Sequence, residues 1–505
     1  MKVNSICIVG GGSSGWMMAV ALNKQLPGLK VTLVESPNVP VIGVGESTIP
    51  FTTAFIKDTL GFKEKEWMPF CDATYKAAIK FNNFTSEKSV CYHPFWTKEE
   101  QDLNPYDWAI KQELTKFDKP DTDDYFGTNF IGYHMSENNK FDSLTDEGFS
   151  YAHHIDAIKF GQYCKTKFKG THILANVGHV EVDGSTIISL TTDKGLIEAD
   201  MFIDCTGLKC LLIDGALNEP FESINDTLLN DTAITCRMPY VDKSKELEPF
   251  TDCTALSSGW VWNAPLWSRI GTGYVFSSKF QSQEEAQKEF KNYLVKRFDK
   301  KRVDNAEFNV VPFKTGKYKR GWVGNCLALT LASGFIEPLE STGLAITGYQ
   351  IEEFIKQMKT STNSAFVRAS YNKQLDEIFK DTHNFVLLHY VNTTRNDSPY
   401  WKHIQNNIKI TDDFVDYSTN IRSDWFDVKS KDCILIGMKY PPKHLMWRDV
   451  ELNQYTKSEH DRILKELSYL NNRKQYYIEK TQKMPLVTKY LEKNIYSEHY
   501  EKENG

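Results

Sequence analysis

The stretch SICIVGGGSSGWMMAVALNKQ sets Gly10, Gly12 and Gly15 at the spacing G-x-G-x-x-G, between a short apolar strand and an apolar helix. That pattern suits a dinucleotide. The first glycine permits a tight turn, the second lets a pyrophosphate approach the backbone, and the third allows the helix to pack closely on the strand, with its N-terminus facing the phosphates. Glu35, 20 residues beyond Gly15, closes the next strand, KVTLVE, where a carboxylate accepts hydrogen bonds from a ribose 2′-OH. The chain holds one such fingerprint, whereas a flavoprotein that also docks NAD(P)H in a fold of its own usually carries two. FAD is therefore the expected resident nucleotide, with electrons arriving from a diffusing source.

Three further stretches hold residues able to handle a reactive group. In CDATYKAAIKF (71–81), read as one strand, alternation puts Tyr75, Ala77, Ile79 and Phe81 on one face and Thr74, Lys76, Ala78 and Lys80 on the other. Lys76 then faces either a cavity or, as lysines on polar strand faces commonly do, water. In ALTLASGFIEPLESTGLAI (328–346) an apolar strand leads through Glu337 and Glu340 to Thr342 and Gly343, where a helix begins. Backbone N–H groups at a helix start bind anions, although Ser341 or Thr342 capping the helix explains the same residues. In GWVWNAP (259–265), Trp260 and Trp262 fall on one face of a strand, with GTGYVFSS (271–278) as its hairpin partner. Core packing accounts for such a pair, and so does an aromatic wall beside a flavin.

These residues need elements to position them. The first 50 residues read as a βαβ unit, and GLIEADMFIDCTG (195–207) reads as a strand pair returning to the same region and ending on Asp204. From about residue 341 apolar residues recur at helical spacing, and the C-terminal stretch is rich in Lys, Glu and Tyr, with a solvated tail at NIYSEHYEKENG. At 505 residues the chain exceeds the size of one growing core. The expected division is a cofactor domain over 1–380, assembled from separated segments, and a mainly helical substrate-side module over 381–505.

Composition narrows the partners. The formal net charge is −6, from 60 basic and 66 acidic side chains, which supplies no field for a nucleic-acid backbone. The aromatic fraction of 13% is high enough to line cavities as well as fill a core. Ten cysteines include no C-x-x-C pair, so neither a metal site nor a redox motif is expected. No apolar run reaches the roughly 18 residues of a membrane span and no leader pattern opens the chain, so a cytoplasmic protein is expected.

Taken together and in order, GGGSSGW, VIGVGESTIP (41–50), YKAAIKF, YHPFW (92–96), GWVWNAP, GTGYVFSS, GFIEPLEST (334–342) and FVLLHYVNTTRNDSPYW (385–401) resemble the flavin-dependent tryptophan halogenase family. The resemblance covers most of the first 400 residues. It implies an α/β, glutathione-reductase-type FAD-binding fold of Rossmann-like design, with an antiparallel substrate-side sheet and a helical C-terminal module. It also implies an oxidoreductase that takes FADH₂ from a separate flavin reductase, consumes O₂ and a halide such as chloride, and passes hypohalous acid through a tunnel to a small aromatic substrate. A homo-oligomer is allowed.

Carried over by position, Lys76 and Glu340 match the family's essential lysine and glutamate, and Thr342 and Gly343 its halide-binding turn. Trp260 and Trp262 match the W-x-W-x-I-P signature, thought to keep substrate away from the flavin, with Ala264 standing where the family has isoleucine. His93 and Phe95 match positions at the substrate pocket. The FAD contacts implied are Gly10, Gly11, Gly12, Ser13, Ser14, Gly15, Glu35, Gly45, Ser47, Thr48, Val180, Asp204, Leu331 and Leu344. The reading expects Lys76 and Glu340 to face one confined channel and leaves the substrate open between indole and phenol types. A flavin-dependent aromatic hydroxylase and a catalytically idle FAD-binding protein are the rivals that share the fold.

Overall fold

The computed structural model describes residues 3–39, 43–102, 127–360, 363–391, 393–419, 425–438 and 457–497. The chain forms two compact units, and each draws on separated segments: Met1–Ala73, Ile155–Asp231 and Pro312–Lys380 make the first, and Thr74–His154, Thr232–Val311 and Asp381–Gly505 the second. The helices that follow residue 381 thus share their unit with two earlier segments of chain.

In the first unit the described residues build a six-stranded sheet in the order Trp322–Val323, Cys326–Ala328, Met201–Asp204, Ser5–Val9, Lys30–Glu35, Thr171–Leu174. All neighbours pair in parallel except the first two, which form a hairpin. Ser5–Val9 sits in the interior of the sheet, which is why it reads as an unbroken apolar run instead of alternating. The helix Ser13–Gln25 crosses from this strand to Lys30–Glu35 in the βαβ unit the glycine spacing predicts. Gly195–Ile197 and Met201–Asp204, expected as a pair, belong to different sheets. The former is the edge of a three-stranded antiparallel layer with Thr186–Thr192 and Val177–Asp183.

The second unit is centred on a seven-stranded sheet in the order Asn309–Pro312, Thr232–Pro239, Arg269–Phe276, Gly259–Pro265, Phe250–Ala255, Ala78–Asn82, Val90–Pro94. GWVWNAP and GTGYVF pair as the expected hairpin, with Trp262 opposite Gly273 and Ala264 opposite Gly271. Alternation gives the sheet two faces. One carries Val261, Ile270, Tyr274 and Phe276, which bury against Phe290 and Leu294 of the helix Gln283–Arg297. That helix starts in a capping box, in which Ser282 and Glu285 satisfy each other's backbone N–H groups. The other face carries Ile79, Phe81, His93, Thr251, Cys253, Trp260, Trp262 and Gly273.

The expected single strand over 71–81 is broken at Ala77. Thr74–Lys76 pairs with Ala152–Ile155, while Ala78–Asn82 joins the seven-stranded sheet. The pivot is fixed by backbone bonds: Ala77 N–H donates to the Pro249 carbonyl (2.7 Å) and Phe95 N–H donates to the Ala77 carbonyl (2.8 Å). A Cβ on Gly132 would collide with the carbonyls of both Phe95 and Ala77, so this glycine lets the helix Ile131–Glu137 lie against the pivot.

Candidate active site

In the first unit the glycine turn has the geometry a pyrophosphate requires. Gly10 has φ +117°, and a Cβ there would strike the Cys205 carbonyl, while one on Gly15 would strike the Gly10 carbonyl. Gly12 differs: a Cβ at that position meets no protein atom within 4 Å. Gly12 is also the N-cap of the helix Ser13–Gln25 and no side chain caps it, so the dipole end faces space that a phosphate can enter. Glu35 ends its strand with both of its ionic contacts, to His172 (2.9 Å) and Lys165 (3.1 Å), on Oε2. Its Oε1 faces no such cation. The residues present therefore fit a dinucleotide.

Asp204 is spent on its own loop. Fully buried, it accepts from Thr206 N–H and Oγ1–H and from the backbone of Leu212 and Ile213 at 2.7–3.0 Å. Burial raises its pKa against the pull of those bonds. Val180 is partly buried and packs against an apolar cluster that includes Val9 and Val34. Ser13 donates to the Ala157 carbonyl (2.7 Å). Gly45 and Thr48 are buried and Ser47 half-buried, whereas Leu344 is the second residue of the helix Gly343–Thr360.

A hydroxyl chain, unforeseen from the sequence, joins two of the motifs. Thr330, beside Leu331, contacts Ser14 Oγ at 2.9 Å and Thr347 Oγ1 at 2.8 Å, and Thr347 donates to the Gly343 carbonyl (2.9 Å). The nucleotide helix and the turn at Thr342–Gly343 are thereby tied within one unit. In that turn Glu340 and Ser341 both sit in the left-handed region, at φ +67° and +61°, and Glu340 is buried. Among the described residues Thr342 makes no side-chain cap to the helix it begins, although Ile346 N–H reaches its carbonyl (2.9 Å). A Cβ on Gly343 meets no protein atom within 4 Å.

The second unit gathers Lys76, His93, Phe95, Trp260 and Trp262. Lys76 is fully buried, and its Nζ lies 5.4 Å from the centroid of the Phe95 ring, within cation–π range. Lys80, on the far side of the pivot, is the lysine that faces outward, 3.1 Å from Glu137. His93 is buried among Phe95, Trp96 and Phe385, with ring centroids at 5.9–6.3 Å, and Phe385 stacks on Phe426 at 3.8 Å. Phe385, on the helix Ala365–Val391, and Phe426, just before the helix Val428–Gly437, extend the aromatic wall, Phe426 from outside the quoted motifs. Trp260 is buried and Trp262 half-buried, with ring centroids 6.2 Å apart. Thr74 donates to the Pro265 carbonyl, which binds the strand of Lys76 to the strand of the tryptophans.

The tryptophan halogenase family model matches residues 5–450. Tryptophan 7-halogenase RebH of Lentzea aerocolonigenes is 35% identical over 423 residues, covering 79% of this chain and 78% of that protein. Among solved structures, VirX1 superposes with a TM-score of 0.85 at 31% identity, over 98% of this chain and 100% of that one. Xcc4156, a flavin-dependent halogenase from Xanthomonas campestris, superposes with 0.84 at 27% identity, over 97% and 98%. Members of this family draw FADH₂ from a separate reductase. The chain belongs to the tryptophan halogenase family and is a flavin-dependent halogenase, an oxidoreductase that uses FADH₂, O₂ and a halide to halogenate a small aromatic substrate.

Proposed function

We propose that the substrate is an electron-rich indole or phenol and that Lys76 presents the electrophilic halogen to it. The observation that carries this reading is the complete burial of the Lys76 ammonium beside Phe95, in a unit whose neighbouring walls are His93, Trp96 and Phe385. Flat rings of this kind hold a flat arene by offset and edge-on contacts, and an ammonium shielded from water directs its hydrogen bond at hypohalous acid instead of solvent.

Bound FADH₂ would supply two of the four electrons that O₂ takes up, leaving two oxidising equivalents to convert halide to hypohalous acid. The turn shaped by Gly10 and Gly15 would bring the backbone of Gly11, Gly12 and Ser14 to its pyrophosphate, and Glu35 Oε1 would accept from its ribose. Thr342 and the N–H of Gly343 hold the halide at the start of their helix, a role supported by the open space beside Gly343, where a Cβ would meet no protein atom within 4 Å. Glu340 polarises the hypohalous acid or removes the proton from the halogenated ring. Ten free, buried cysteines fit the reducing cytoplasm.

The test crosses indole and phenol substrates with chloride, bromide and iodide under FADH₂ and O₂, read by mass spectrometry. Lys76→Ala is expected to abolish halogenated product while FAD binding and flavin reoxidation persist. Retained halogenation in that variant overturns the role of the lysine, and a hydroxylated product without a halogen isotope pattern overturns the reaction.

A further inference from the structure

The strand that carries Lys76 is held by a directional relay centred on His154. Thr74 and His154 face each other across the Thr74–Lys76 and Ala152–Ile155 pairing, and Lys76 follows Thr74 on the same side. His154, Thr74 and Thr251 are buried, the first two completely. Thr74 gives its one hydroxyl proton to the Pro265 carbonyl, so the contact between His154 Nδ1 and Thr74 Oγ1 (3.2 Å) has the ring nitrogen as donor. In a neutral ring Nε2 is then an acceptor, and it takes the hydroxyl of Thr251 at 2.9 Å.

We propose that His154 is a positioning residue for halogen transfer, clamping the Lys76 strand through Thr251, Thr74 and Pro265 to the sheet that bears Trp260 and Trp262. The inference rests on the reading of Lys76 given above. Both hydroxyl partners of the imidazole belong to the same unit, one on the strand of Lys76 and the other on Phe250–Ala255 of the seven-stranded sheet, so the ring ties the two sheets together. Its environment keeps it uncharged: burial acts first, and the charge of Lys76 and then His153 opposes a second cation. The aromatic face of Tyr75, stacked on Phe141 at 4.4 Å, braces the same strand from its other side.

The experiment compares the parent with His154→Phe, Thr251→Val and Thr251→Ser. Hypohalous acid is trapped with monochlorodimedone in the absence of arene, and kcat and KM for the arene are measured separately. His154→Phe is expected to lower arene halogenation per hypohalous acid formed roughly tenfold or more. Thr251→Val should lower it several-fold, in kcat and with KM unchanged, and Thr251→Ser should restore it. Parent-like kcat in both His154→Phe and Thr251→Val overturns the proposal. So does a defect confined to KM, or one that Thr251→Ser fails to repair. If His154→Phe does not fold, the two Thr251 variants decide. Lys76→Ala, run alongside, separates the two ideas, because product surviving in that variant removes the role of the lysine, whatever the His154 result.

Discussion

The indole of Trp262 lies directly over Gly273 of the neighbouring strand, so that a Cβ on the glycine would overlap the six-membered ring. The hairpin therefore contains a trough cut for one side chain. A residue with a side chain in place of Gly273 would push the indole off the sheet, away from its contact with Trp260 at 6.2 Å. The orientation of the signature tryptophan depends on a residue in a different motif.

Gly273→Ala is expected to destabilise the protein by about 1–3 kcal/mol through overpacking and to alter the near-ultraviolet circular dichroism of the tryptophans. A variant with parent-like unfolding and an unchanged aromatic spectrum would show that the ring does not lie there.

Two of the fingerprint glycines should behave differently. Gly10→Ala meets the Cys205 carbonyl at φ +117° and is expected to lose roughly 3 kcal/mol or fail to fold. Gly12→Ala adopts its existing φ of −74° without a clash, so it should unfold like the parent yet bind FAD at least about tenfold more weakly, from the loss of close phosphate approach. Fluorescence titration of FAD beside thermal unfolding reads both; equal unfolding of the two variants would refute the distinction.

The left-handed turn at Glu340 and Ser341 predicts a steric ranking. Ser341→Val, branched at Cβ and forced to φ +61°, should cost about 1–3 kcal/mol more than Ser341→Ala. Chemical denaturation of the two variants measures the difference, and equality would mean the turn relaxes freely.

Acid should weaken the second unit through His154. Its folded pKa is held well below 6.5, by burial first and then by Lys76 and His153, so as pH falls through 6.5 the unfolded chain takes a proton that the folded chain refuses. Stability is lost below pH 6.5, by up to about 1.4 kcal/mol per pH unit for one such group. Buried His134 acts in the same direction, while Glu100 and Asp204, whose pKa values burial raises, act in the opposite one. Comparing the parent with His154→Gln cancels these shared groups. The stability advantage of the parent should shrink between pH 7.5 and 5.5, and a constant difference across that range would contradict the assignment.

What could be read from the chain followed the length of its patterns. The glycine turn and Glu35 were legible because local spacing alone sets a βαβ turn, and the tryptophan hairpin because alternation and pairing are local too. The break at Ala77 was not, because it is imposed by Pro249 and Phe95, which lie at distant positions along the chain. Asp204 belongs to the right strand end, but its oxygens serve Thr206, Leu212 and Ile213, a use that its residue type does not reveal. His154, Thr330 and Phe426 passed unmarked, and Phe385 was quoted only as part of a longer motif, because a histidine on an apolar strand, a threonine in a turn and phenylalanines on or beside a helix look like core until their partners are known.

The backbone crosses from one unit to the other at 73/74, 154/155, 231/232, 311/312 and 380/381. Grafting a foreign tail after residue 380, to borrow another enzyme's specificity, would leave Lys76, His93, Trp260 and Trp262 as the host's own. On the proposed reading, in which the second unit holds the arene, altering which arene is accepted calls for exchanging three stretches of gene in concert.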